Sequence, residues 1–287
     1  MNFEQITIVG PGLLGASLAM ALRAGNLCER TVIWGRSQSR VDECAMHSWC
    51  DRVETNIGSA VSGSALVVLC TSVDSISALL PEVMSCAGEG AIVTDVGSVK
   101  EEICRVGSTQ TEVSRATFIG SHPMAGSEKS GMQNAKEDLF KGKPCIITPL
   151  SNSPDPNVRR LYSFWEEVGM KVHAMLPSEH DRCVASVSHL PHLLASSLAH
   201  CLEATPENWK EMAGQGLRDT TRIAEGSAEL WEQILLSNKP NLLSALELFE
   251  KSIALAKKCL QQESKRELND FLDEGARYRR SLGLKGE

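Results

Sequence analysis

The ten cysteines of this chain form no CxxC pair and no Cys/His cluster at metal-ligand spacing. That sets aside a zinc site and a dithiol redox motif. Several cysteines sit inside apolar runs, as Cys70 does in Ala-Leu-Val-Val-Leu-Cys, where a free thiol acts as a small hydrophobe. No apolar run approaches the about 20 residues needed to span a bilayer, and no basic leader or signal-peptide core precedes the first strand. Positive charge is also in short supply. Lys and Arg number 29 against 36 Asp and Glu, a net charge of −7, which argues against a general nucleic-acid binder. An anionic small molecule remains admissible, because a site needs only local positive charge. There is no internal repeat and no low-complexity segment. Together these absences predict a soluble protein of a reducing, cytoplasmic compartment, with neither nucleic acid nor membrane as partner.

At 287 residues, 42% of them apolar, the chain has material for one large core or two ordinary ones. Ile6-Thr7-Ile8-Val9 reads as a buried strand and Gly10-Pro11-Gly12-Leu13-Leu14-Gly15 follows at once, before a helical run over 16–24. A GxGxxG turn between a strand and a helix is the dinucleotide-binding fingerprint. Gly10 allows the tight turn, Gly12 lets backbone approach a pyrophosphate, and Gly15 permits close helix–strand packing. The helix N-terminus, with Leu13 and Leu14 in its first turn, offers amides and a positive dipole end to the phosphates. After the second strand, Thr31-Val32-Ile33-Trp34, the acid that usually holds an NAD ribose is missing. Arg36 and Ser37 stand there instead, and Asp42 is too far along to replace it. Arg36 can pair with a 2′-phosphate and Ser37 can hydrogen-bond to it, which favours NADP with NAD possible. Stacking of Arg36 on adenine, or exposure to solvent, is the alternative.

Further strands are expected at 65–70, with Thr71 at its carboxyl end by the cofactor, and at 91–96, ending in Gly97-Ser98-Val99-Lys100. Strands alternating with helices predict a mostly parallel sheet of βαβ units. Thr117-Phe118-Ile119 reads as a short strand running into the loop Gly120–Gly131, GSHPMAGSEKSG. His122 is expected on that loop at the sheet edge, fixed by Pro123 and titrating near neutrality. Residues 145–148 and 171–174 look like later strands joined by a helix over 155–168, with Pro154 and Pro156 at its start. Beyond about 176 only helical spacing remains, over 178–203, 207–225, 228–236 and 240–272. The fold class expected is therefore an α/β Rossmann-type domain, 1–176, followed by an all-α domain, 177–287. The last and longest helix, with Leu243, Leu246, Phe249, Ile253 and Ala256 on one side, suggests packing against a partner subunit in a homodimer.

Five motifs lie in order: VGPGLLGASLA, DVGSVK, GSHPMAGSEKSG, SHLPH over Ser188–His192, and GLRDTTRIAEGSAELW over Gly216–Trp231. From the first strand to about residue 236 the chain resembles the prephenate/arogenate dehydrogenase family of tyrosine biosynthesis. The resemblance implies oxidative decarboxylation of a cyclohexadienol. Hydride leaves C4 of the ring for nicotinamide, the 4-hydroxyl loses its proton, and carbon dioxide departs as the ring becomes aromatic. By that resemblance His122 and Ser98 are the catalytic pair, the histidine accepting the hydroxyl proton and the serine orienting it. His192, Arg222, Ser127, Glu128 and Trp231 are the substrate-binding set, Arg222 holding a carboxylate. Asp181 and Asp219 match acidic positions tied to domain architecture and closure.

Each role has a plainer competitor. His189 and His192 fall three residues apart, so one of them, His189, can simply satisfy the core. Arg222 and Asp219 are spaced for a weak surface ion pair, Trp231 for a core position, and Glu128 beside Lys129 for a solvated loop pair. In the family the histidine closing SHLPH goes with prephenate users, so His192 favours prephenate. Glu128 can attract an ammonium and keeps arogenate in play. A fused mutase or regulatory domain is not expected, so feedback by tyrosine would act at the active site. A β-hydroxyacid dehydrogenase would need a buried lysine base, which the helical part does not offer. A catalytically silent NADP-sensing regulator would have lost the His122–Ser98–Arg222 set.

Overall fold

Runs of Val, Ile and Leu buried on both faces form the first strands, as a sheet covered on each side by helices requires. The structure, a computed structural model, describes residues 3–126, 129 and 131–282; Ser127 and Glu128 lie outside the described residues. Strands β1 (Phe3–Val9), β2 (Cys28–Trp34), β3 (Arg52–Glu54), β4 (Leu66–Leu69), β5 (Ile92–Asp95) and β6 (Thr117–Phe118) make one six-stranded sheet in the order β3-β2-β1-β4-β5-β6. All its pairings are parallel. This is the doubly wound Rossmann order, whose ligand crevice opens where the order reverses, between the carboxyl ends of β1 and β4. The short β3 carries too little apolar pattern to show in the sequence.

The first four residues of the expected Gly120–Gly131 loop in fact form a strand. Backbone pairing continues through Ile119, whose N–H reaches the Val93 carbonyl (3.0 Å). The chain then leaves the sheet as β7 (Gly120–Pro123), which pairs antiparallel with β8 (Pro144–Thr148); β8 pairs parallel with β9 (Lys171–Ala174). The later strands therefore build a second, three-stranded sheet, and His122 is a buried strand residue, 8% exposed. The corner is tied down by side chains. Thr94 and Ser121 share a hydroxyl hydrogen bond (2.7 Å), the Trp165 indole donates to Ser121 (3.0 Å), and the Ser121 amide donates to Asp95 (3.1 Å). Asp95 also takes the amide of Gly97 (2.8 Å) and an ion pair from Lys100, both side chains fully buried.

The helix Asp155–Glu167 starts at Pro154 and Pro156 and buries Leu161, Phe164 and Trp165. From Pro177 the chain is helical. The helix Pro177–Val184 runs through a π turn, Ala185–His189, into the helix Leu190–Glu203. Pro191 supplies the reason, since it has no N–H to donate back into the preceding turn. Two compact units result, Met1–Lys239 and Pro240–Glu287. The stretch read as one helix over 240–272 is two, Lys239–Gln261 and Lys265–Ser281. Glu263 adopts a left-handed conformation (φ 51°) between them, and the Ser264 amide bonds back to the Cys259 carbonyl (3.1 Å). Apolar spacing that survives the break concealed it. Leu243, Leu248, Ile253, Leu255 and Leu260 remain largely exposed on the first of these helices. No helix among the described residues is long and apolar enough to cross a membrane.

Candidate active site

The glycine turn opens the crevice. Gly10 has φ +103°, which favours glycine, and its amide bonds to the Trp34 carbonyl (2.9 Å). A Cβ on Gly15 would press into the Gly10 carbonyl and come within 3.2 Å of Cys70, so the helix Leu13–Gly25 can lie against the sheet only with glycine there. Gly12 caps that helix, and a Cβ there would meet nothing within 4 Å. The amides of the first turn have no intrahelical acceptor, and glycine at 12 puts no side chain beside them. Gly12, Leu13, Leu14 and Thr71 line one cavity of about 670 Å³, the size of a small-molecule site.

The same cavity is lined by Ser98, His122, His192, Arg222 and Trp231. Residues brought from the segment after β5, from β7 and from three helical segments thus line one cavity. Trp231 is not a core residue; it is half-buried and its ring stacks on His192 (centroids 3.5 Å apart, 11° between planes). His189 is buried, as its plainer reading required, and pairs through Nδ1 with Asn238 (3.1 Å), yet it also lines the cavity. Asp219 is exposed and accepts a hydrogen bond from Gln215 (2.7 Å). Arg36 and Ser37 are exposed just beyond β2, beside the glycine turn that β2 adjoins.

His122 does not titrate near neutrality. Burial holds it well below its usual value, and His180, Lys100 and His189 add to the effect. Its Nδ1 lies 2.8 Å from His180 Nε2, and His180 Nδ1 lies 2.7 Å from Asp181 Oδ1. Ser98 lines the cavity, but the hydrogen-bond partner of His122 among the described residues is His180. Asp181, buried, also accepts the amides of Lys100 (2.7 Å) and Glu101 (2.9 Å). Burial pushes its carboxyl up, but the hydrogen bonds from His180, Glu101 and Lys100 outweigh that and hold it below the ordinary value. Burial likewise lowers His180 and His192, and takes His189 down to about 4.

Comparison with known proteins agrees with this assembly. Residues 18–174 match the family model described as prephenate dehydrogenase, nucleotide-binding domain, and residues 176–274 match prephenate dehydrogenase, dimerization domain. The chain is 32% identical to the prephenate dehydrogenase of Bacillus subtilis, over 98% of this chain and 77% of that one. The chain belongs to the prephenate dehydrogenase family. It is accordingly an oxidoreductase of tyrosine biosynthesis that uses a nicotinamide cofactor. The crystal structure of A. aeolicus prephenate dehydrogenase with hydroxyphenyl propionate and NAD+ superposes with a TM-score of 0.89 at 29% identity, covering 97% of this chain and 98% of that one. A Synechocystis arogenate dehydrogenase superposes with 0.82 at 28%, covering 97% and 99%. The regulator alternative finds no support among these relatives.

Within the prephenate dehydrogenase fold, the residues present suit a dinucleotide. The first-turn amides after Gly12 fit a pyrophosphate, and the buried Thr71 Oγ1, which has no hydrogen-bond partner among the described residues, sits where the cavity meets the glycine turn. His189 Nε2 and His192 Nδ1 are likewise buried and without a partner there. Buried polar groups rarely stay so, and these belong to cavity-lining side chains. Sequence reasoning missed His180 and Asn238, and gave Asp181 no place beside His122. The one local signal was the adjacent His180-Asp181 pair on a buried helix face, which has no meaning until β7 is folded against it.

Proposed function

We propose that this enzyme oxidatively decarboxylates prephenate to 4-hydroxyphenylpyruvate, with NADP preferred over NAD. The observation that carries the reading is one cavity lined together by Gly12, Leu13 and Leu14 of the glycine turn and by Ser98, His122, His192 and Arg222. A bound nicotinamide supplies the hydride acceptor. His122, with Nδ1 already engaged, takes the 4-hydroxyl proton at Nε2 as the C4–H electron pair departs. The pair from the C1–carboxylate bond then enters the ring, carbon dioxide leaves, and the same proton returns to the phenolate oxygen. Ser98 lines the wall beside the base, and its hydroxyl is free to reach the substrate oxygen or the carboxamide. Arg222 binds one carboxylate, in the fork geometry guanidinium favours. The buried, neutral ring of His192, kept in place by Trp231, donates to the side chain of the substrate. His192, a neutral donor to a keto acid side chain, supports prephenate over arogenate, with Glu128 the group that would favour the amine. Ser127 and Glu128 are proposed to complete the wall.

Arg36 and Ser37 underlie the NADP preference. A homodimer through the helical C-terminal part, taken to begin near residue 177, rests on the name of the matching family model and on the exposed apolar side of the helix Lys239–Gln261. The test is an initial-rate assay of prephenate or arogenate against NAD or NADP. Fastest turnover with prephenate and NADP is expected. Preference for arogenate would overturn the role of His192, and equal use of both nucleotides, unchanged in Arg36→Ala, would overturn that of Arg36.

A further inference from the structure

We propose that His180 and Asp181 are positioning residues that fix His122 in the one tautomer able to act as a base. The inference rests on the reading of His122 as the group that takes the substrate proton. It follows from counting protons along a buried chain. Asp181 accepts the Lys100 and Glu101 amides on its two oxygens (2.7 and 2.9 Å), so it is an acceptor throughout. Its contact with His180 Nδ1 (2.7 Å) must then be an N–H donated by the histidine. A neutral imidazole has one N–H, so His180 Nε2 presents a lone pair. That lone pair faces His122 Nδ1 at 2.8 Å, and Nδ1 must therefore carry the proton of His122. The remaining nitrogen, Nε2, is left with a lone pair on a ring that lines the cavity.

The rings cross at 63°, an edge contact suited to an in-plane hydrogen bond. Burial keeps both neutral, the condition that the proton count needs. The charged and titratable groups around His122 are Cys145 on β8, His180 and His189 from the helical part, Lys100 beyond β5 with its partner Asp95 at the end of that strand, and Asp181 behind His180. When His122 accepts a proton, its Nδ1–H bond to His180 becomes charge-assisted, and the chain ends on a carboxylate. The arrangement extends the carboxylate–histidine orienting device by one ring.

Three variants and one spectrum test this. Nitrogen-15 shifts of the histidine rings in the unliganded wild type should report Nδ1–H with a bare Nε2 for both His122 and His180. His180→Leu should lower kcat by roughly 10²-fold, the contribution of a correctly protonated base, with KM within about threefold. His180→Gln keeps an oxygen near the former Nε2 and should recover at least about tenfold of that loss. An Nε2–H tautomer on wild-type His122, a folded His180→Leu enzyme with near wild-type kcat, or a Gln variant no better than Leu would each overturn the proposal. If His180→Leu fails to fold, the wild-type spectrum and the Gln variant decide. His122→Asn separates the two readings: unchanged kcat there removes the base itself, whereas a loss there without one in His180→Leu removes only the positioning chain.

Discussion

Lys100→Met should be among the most destabilising single substitutions in the first unit. Lys100 and Asp95 are both fully buried and form an ion pair. Removing only the cation leaves a carboxylate in a dry interior, which costs about 3–5 kcal/mol. Asp95 would keep the amides of Gly97 (2.8 Å) and Ser121 (3.1 Å), so about 3 kcal/mol, the lower end, is expected. Met fills much of the volume of the lysine stem, so little of that loss is a cavity term. In urea, with a slope of about 2–3 kcal/mol/M, the midpoint should fall by roughly 1 M. Asp95→Asn should cost a similar amount by stranding the ammonium group. The double variant should then be more stable than the sum of the two by at least about 1 kcal/mol, because neither charge remains. A loss below about 1 kcal/mol for Lys100→Met at an unchanged slope, or strict additivity in the cycle, would refute the account.

Gly15→Ala should weaken dinucleotide binding at least about tenfold by calorimetry, since its Cβ cannot fit against the Gly10 carbonyl without moving the phosphate-binding turn; binding as in wild type would mean the turn yields cheaply. Trp231→Leu removes the ring stacked on His192 and should raise KM for the substrate about tenfold with kcat little changed; a fall in kcat alone would assign the tryptophan to the chemical step. Stability should decline as pH falls, first through the buried histidines His122, His180, His189 and His192, all lowered by burial, and then through Asp181. His189, lowered to about 4 by burial, stays neutral in the folded state while the unfolded chain takes up its proton below about 6.5. Its share, about 3 kcal/mol, is thus lost between those two values. Asp181, held below its ordinary carboxyl value, adds its loss only at still lower pH, as the folded carboxylate is protonated. Urea titrations of wild type and His189→Gln should differ in slope against pH between about 6.5 and 4; parallel curves would refute the assignment.

Local physics made the parallel sheet legible. The β1 run, the glycine turn and the helix after it are contiguous in sequence, and each strand's apolar character is its own. The same holds for the helix Asp155–Glu167, whose prolines announce its start. What could not be read is what depends on distant partners. β7 looks like a loop because its four residues, Gly-Ser-His-Pro, lack strand propensity; it extends because Ile146 and Ile147 of β8 lie opposite His122 and Ser121. The break at Glu263 was hidden because its flanking apolar residues keep helical phase. His180 was invisible because 58 residues separate it from His122, and no spacing rule spans that distance. Ser98, His192 and Arg222 were singled out through motifs, and the fold brings them to one cavity without setting any hydrogen bond between Ser98 and His122.

The corner between β6 and β7 explains how the proposed base, His122, can be both buried and aimed. On a solvated loop at the sheet edge His122 would be free to turn either nitrogen to the substrate, and water would compete for both. Leaving the parallel sheet at Gly120 puts the ring instead on a paired strand, with backbone held by β8 and the neighbouring Ser121 tied to Thr94, Asp95 and Trp165. The same Asp95 that receives the Ser121 amide pairs with Lys100, whose own amide is a ligand of Asp181. One set of buried contacts therefore anchors the strand that carries His122 and the carboxylate that ends its hydrogen-bond chain. Loosening the Asp95–Lys100 pair should reach the orientation of His122 without touching the cavity, and the histidine spectrum of Asp95→Asn is where that coupling would be read.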